Sequence, residues 1–303
     1  VFGLALTAHS HVRVTVLICR HSALSVSGRS LPSYCATVQI PSGRGPRRQP
    51  GCVSRRDVLR YAAAGPLLLG LPTVTAALTA PVAAAASDIA GTIVFLDPGH
   101  NGANDSSINR QVPTGRGGTK ECQTTGTTTD SGYPEHSFNW DVVLRVRAEL
   151  SQLGVRTALS RGDDNALGPC VDQRAAMANA LRPNAIVSIH ADGGPPGGRG
   201  FHVNYSAPPL NEAQAGPALQ LARAMRDQLV AAGFTPSTYR GTDGLYGRSD
   251  LAGLNLAEFP SVLVELGNMK NSDDAAVIVS EQGRAKYAAA VASGLNAYLS
   301  QRV

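Results

Sequence analysis

Beyond residue 87 the sequence has no surplus of positive charge: 18 Lys and Arg stand against 21 Asp and Glu, a net −3. The +5 balance of the whole chain comes from residues 1–87, which hold nine Arg and a single acid, Asp57. Aromatic residues are scarce as well, at 5% of the chain. With neither a basic stripe nor stacking aromatics, nucleic-acid binding is set aside. The slightly acidic balance also gives no electrostatic pull toward an anionic surface. Cysteine is sparse: Cys122 and Cys170 are the two beyond residue 87, and neither has a partner at metal-site spacing. Internal repeats and a second module are absent too, and about 215 residues are ample for one sizeable core.

What is present begins with a leader. Ser54-Arg55-Arg56-Asp57-Val58-Leu59 resembles a twin-arginine export signal. A charge-free, Ala- and Leu-rich stretch follows from Tyr61 and ends in Ala83-Ala84-Ala85-Ala86-Ser87, a small-residue cleavage pattern. Pro66, Pro72 and Pro81 interrupt it, which favours a cleaved signal over a membrane anchor. Residues 54–87 therefore read as a signal peptide. Residues 1–53, which lack periodicity and begin with Val, read as an over-extended gene start outside the fold. The expected product is exported to the periplasm, the cell envelope or the medium, with no membrane attachment after cleavage. No cysteine follows the cleavage site to carry a lipid. In an oxidising compartment an even pair of cysteines predicts a Cys122–Cys170 disulfide.

Residues 88–303 read as alternating strands and helices. Thr92–Leu96 is a short apolar run stopped by Asp97-Pro98-Gly99, with His100 just past its end. A long polar loop follows, from Asn101 to Tyr133. Phe138, Val142, Val146 and Leu150 recur every four residues and mark an amphipathic helix ending near Gly154. Glu135 falls on its buried stripe, and an acid facing inward has to be paired, with a cation as the natural partner. Val155–Leu159 is the next strand and 172–181 a short helix. Ala185–Ile189 runs into His190, and a Gly/Pro loop, Gly193 to Gly200, follows. Phe201–Tyr205 is another strand, 212–232 a long helix and 244–248 a loop or edge strand. Ser261–Val264 runs into Glu265, followed by a helix start near Ser272-Asp273-Asp274 and a final helix to about Leu299. The order predicts one α/β domain with a largely parallel sheet.

Ligand sites in such folds lie beyond the carboxyl ends of the strands. Two His and one Glu there suit a catalytic zinc site, which uses three protein ligands and leaves a fourth position to water. A separate carboxylate must then move protons, and Glu265 fits. Spacing alone leaves two rivals: His136, about 100° round the helix from Glu135, and His202, whose alternation with Phe201 turns it toward solvent.

The motifs Leu96-Asp97-Pro98-Gly99-His100, the Glu135 helix, Arg174…Ala178-Asn179 leading to Ser188-Ile189-His190-Ala191-Asp192, and Val264-Glu265-Leu266-Gly267-Asn268 decide between them. In order and spacing they resemble the zinc-dependent N-acetylmuramoyl-L-alanine amidases, in their compact actinobacterial form with paired cysteines. The resemblance implies a mixed, mostly parallel sheet of about six strands flanked by helices. It implies one Zn²⁺ held by His100, Glu135 and His190, with Glu265 as the catalytic acid. It implies peptidoglycan as substrate, cut between the lactyl group of N-acetylmuramic acid and L-alanine. The chain is expected to act as a monomer. A zinc carboxypeptidase, a deacetylase and a non-catalytic wall-binding protein are the alternatives. Asn268-Met269-Lys270-Asn271 replaces the aromatic and small residues usual after the catalytic Glu-x-Gly. No site-blocking helical insert is visible.

Overall fold

The computed structural model describes residues 88–301 and one short antiparallel pair, β1 (Ile18–Cys19) with β2 (Cys35–Ala36). That pair belongs to a separate unit, Val1–Leu78. The signal peptide expected at 54–87 lies outside the described residues. Among the described residues no helix is long and apolar enough to cross a membrane.

The larger unit is a six-stranded sheet between helices. Its strands are β3 (Ile93–Pro98), β6 (Arg156–Leu159), β7 (Ala185–Asp192), β8 (His202–Ser206), β9 (Leu245–Arg248) and β10 (Ser261–Asn268). They lie in the order β6-β3-β7-β10-β8-β9. The first four in that order are mutually parallel. β8 runs antiparallel to β10, and β9 parallel to β8, so the sheet is mixed, as expected.

One face packs against α1 (Glu135–Gln152), α4 (Pro217–Ala231) and α7 (Glu281–Leu299). Phe138, Val142, Val146 and Leu150 of α1 are all fully buried there, as their spacing predicts. Gly154 closes the turn after α1 in the left-handed region, at φ 75°, where glycine carries no steric cost. α2 (Val171–Leu181) and the short α5 (Ala252–Asn255) lie over the opposite face, where Phe95, Ile186, Ala178 and Ala257 form a smaller apolar cluster. α6 (Ser272–Val279) follows β10.

Three expectations need correction. The helix expected over 212–232 is two: α3 (Glu212–Ala215) ends at Gly216, and Pro217 opens α4. Proline lacks the donor a continuing helix needs but suits a first turn. The polar loop 101–133 is not structureless. It holds a 3₁₀ turn at Ser106–Asn109 and a hairpin of β4 (Gln111–Pro113) and β5 (Thr119–Glu121). The Cys122–Cys170 disulfide fastens it to the start of α2, around Val112 and Val171. Finally, β7 and β10 run further than their apolar runs, so His190 and Glu265 sit inside strands, paired in register. Ladder hydrogen bonds between neighbouring strands carry the pairing past the last apolar residue.

Candidate active site

Alternation along the strands puts the chemistry on one face. In β7, Val187, Ile189 and Ala191 enter the main core, while Ser188, His190 and Asp192 point the other way. In β10, Val264 and Leu266 enter the core, and Leu263 and Glu265 face the site. Glu265 is the register partner of His190 on one side and of His202 on the other. The three form one row across three strands.

His100, Glu135 and His190 come together, each offering a ligand atom within 4.8 Å of the others. Glu135, 4% exposed at the first position of α1, lies between the histidines. Its Oε1 is 3.0 Å from His100 Nε2 and 2.9 Å from His190 Nδ1. The amide of Ala191 also donates to Oε1, and that of Thr127 to Oε2. The carbonyl of Thr124 lies 2.8 Å from His100 Nδ1. A carbonyl only accepts, so the neutral ring carries its proton on Nδ1 and turns the Nε2 lone pair to the centre. A lone pair and a buried carboxylate converging on one point are a donor set that calls for a cation. Burial alone would raise the Glu135 carboxyl, but His100 and His190 hold it well below the usual carboxylate range. Burial would likewise lower His100, yet Glu135 raises it.

Two glycines allow this approach. A Cβ on Gly99 would come within 2.2 Å of the His190 ring. One on Gly126, at φ 77°, would meet Glu135 Oε2 at 2.8 Å and His100 at 2.9 Å. No side chain fits at either place.

Glu265 faces the same cavity, of about 390 Å³. Its Oε2 is buried without a hydrogen-bond partner. Desolvation first, then the charges of Glu135 and Asp192, push its carboxyl well above the usual range. A carboxyl held above its usual range keeps a proton more readily, which suits acid–base work. Beyond it Phe95, Ile186, Leu251 and Leu254 give the cavity an apolar wall.

The rivals stand apart. His136 bonds Asp164 at 2.9 Å and does not join the cluster. His202 does not face solvent: it is 2% exposed, edge-on to Tyr239 and Tyr246. Burial lowers its pKa to about 4, so it stays neutral. The antiparallel pairing of β8 with β10 turned it inward, which the alternation of β8 alone could not reveal.

Asn268, where the sequence departs from the usual pattern, is a structural hub. Its side chain accepts from the amides of Gly194 and Lys270 and donates to the carbonyls of Pro195 and Gly198. It thereby shapes the Gly/Pro loop at the rim. The residue pattern reveals neither this nor the Thr124 carbonyl. Main-chain partners leave no mark in a side-chain pattern.

A family model described as N-acetylmuramoyl-L-alanine amidase matches residues 94–297. The chain belongs to that family. It is an enzyme, an amidase of the family's compact type. Among its relatives, N-acetylmuramoyl-L-alanine amidase Rv3717 of Mycobacterium tuberculosis is 68% identical over 231 residues, 75% of this chain and 96% of that protein. The crystal structure of the amidase Ami1 from Mycobacterium smegmatis matches with a TM-score of 0.71 and 71% identity. That match covers 71% of this chain and 100% of the other. The apo form of Ami1 from Mycobacterium abscessus matches with a TM-score of 0.69 and 68% identity, over 69% of this chain and 99% of that one.

Proposed function

We propose that this amidase is an exported zinc enzyme that hydrolyses the amide between the lactyl group of N-acetylmuramic acid and L-alanine in peptidoglycan. The observation that carries the reading is the His100–Glu135–His190 donor set facing Glu265 across one cavity. His100, Glu135 and His190 would hold the metal. Zinc bound there would supply Lewis acidity toward the scissile carbonyl and toward water.

The protein's own groups do the rest. Glu265 takes a proton from the attacking water at its carboxylate and delivers it to the leaving nitrogen of L-alanine. Oxygen joins the lactyl carbonyl carbon, the C–N bond breaks, and the products are a free lactyl acid and a free stem-peptide amine. The Thr124 carbonyl and the Thr127 and Ala191 amides keep His100 and Glu135 in place. The enzyme acts as a monomer outside the cytoplasm, after removal of a signal peptide spanning residues 54–87 ahead of a catalytic domain at 88–303.

Digestion of purified muropeptides, with metal analysis of the same sample, tests this. Free lactyl-muramic sugars, intact stem peptides and one zinc per chain are expected. Shortened stem peptides would identify a carboxypeptidase, and free amino sugars a deacetylase. Replacement of His190 by Ala should abolish tight zinc binding, while His136→Ala should leave it stoichiometric. Full zinc in the His190→Ala protein would overturn the ligand set.

A further inference from the structure

Arg174 belongs to a motif that the chemistry above leaves without a task. It sits on α2, 4% exposed, with its guanidinium aimed at the segment that carries His100. Nη1 donates to Asp97 Oδ1 at 2.8 Å and to the Pro98 carbonyl at 2.9 Å. Nη2 donates to the His100 carbonyl at 2.7 Å and to Asn101 Oδ1 at 2.8 Å. Nε donates to the Pro169 carbonyl at 3.0 Å. An arginine has five N–H donors in a fixed fork, and all five are used. Four of them hold residues 97 to 101.

That segment needs holding. His100 has φ 62°, in the left-handed region that side-chain-bearing residues adopt only against steric crowding. The Thr124 carbonyl fixes the ring of His100 but not its backbone. A buried Arg–Asp pair is by itself a poor source of stability, since apolar residues of the same volume often do as well. Asp97, for its part, also accepts from the Ser160 and Ser188 hydroxyls. The arrangement spends a rigid, fully bonded fork on one turn of chain, and that turn aims a ligand.

We propose that Arg174 is a positioning residue for the metal centre: its fork sets the left-handed turn at His100 and so aims the His100 ring at Glu135 and His190. The inference rests on the reading of that cluster as a zinc site. A lysine at this place keeps the charge but has three donors on a flexible stem and cannot reproduce the fork.

The experiment measures zinc affinity by competition with a chelator, and melting temperature, for the wild type, Arg174→Lys and Arg174→Ala. Arg174→Lys should bind zinc about 10- to 100-fold more weakly, the usual effect of losing a group that orients a ligand. Guanidinium ion, added well below denaturing concentrations, should restore affinity to Arg174→Ala, which a loss of general stability would not allow. Affinity in Arg174→Lys within about threefold of wild type, below that range, would overturn the proposal. So would an Arg174→Ala protein that guanidinium leaves unchanged. A wild type that binds no zinc would overturn the zinc reading itself, and the inference with it. If Arg174→Lys does not fold, Asn101→Ala removes one acceptor and leaves the guanidinium in place. It should weaken zinc about two- to tenfold, the worth of one hydrogen bond, and unchanged affinity there would equally overturn the proposal.

Discussion

On the side of the sheet turned to α1, α4 and α7, the strands β3, β7 and β10 present Val94, Leu96, Val187, Ile189, Val264 and Leu266. On the other side the same strands present Asp97, Ser188, His190 and Glu265. The first face is apolar and buried in the main core. The second holds charged groups that burial penalises, and it offsets that cost pair by pair. Asp97 is bonded by Arg174, Ser160 and Ser188, and its carboxyl is lowered to about 2. Glu135 is enclosed by two histidines, two backbone amides and the side-chain amide of Asn139. Glu265 alone in this group keeps a buried oxygen without a partner. One strand can thus serve stability and chemistry together, because adjacent side chains never share a face.

Adjacent residues of β10 put that division at risk most directly. Glu265→Ala should lower amidase turnover about 100- to 10,000-fold, the range for a lost acid–base group. Its zinc content should stay at one per chain and its melting temperature near wild type. A turnover within about threefold of wild type, far below that range, would break the comparison.

Its neighbour Leu266 should behave in the opposite way. Leu266→Ala leaves a cavity in the main core and should cost about 2–5 kcal/mol of unfolding free energy. Zinc affinity measured well below the melting transition should be unchanged. A large loss of zinc binding with little loss of stability would show that the faces are not separable.

The smallest effect concerns His202, a site-face residue buried neutral. Its pKa falls from 6.5 to about 4 in the folded chain, so the unfolded chain binds the extra proton between those values. Stability must then rise with pH across that window, by at most about 3 kcal/mol in total. The contribution is fully present above pH 6.5 and is lost as pH falls toward 4. His202→Phe should flatten this part of the curve. Urea unfolding at several pH values checks it, and equal slopes for the two proteins would remove His202 from the account.

Much of this was legible in the order of residues. The period of four in Phe138, Val142 and Val146 determined α1 and put Glu135 on its buried edge, because a helix repeats every 3.6 residues. Apolar runs ending in polar residues determined β3, β7 and β10 and their candidate ligands, and the even pair of cysteines anticipated the disulfide. Other features were set only when distant segments met. His190 and Glu265 became neighbours through register between strands more than 60 residues apart, and ladder bonds that extend strands are made by backbone, which every residue shares. The inward turn of His202 came from an antiparallel pairing that no local pattern encodes. Gly99 and Gly126 gain their meaning only from the rings and carboxylate that crowd them, and Arg174 only from the five oxygens that its fork finds. Local pattern determines which face a side chain takes within its own element; which atoms it meets there is decided by packing and long-range hydrogen bonds.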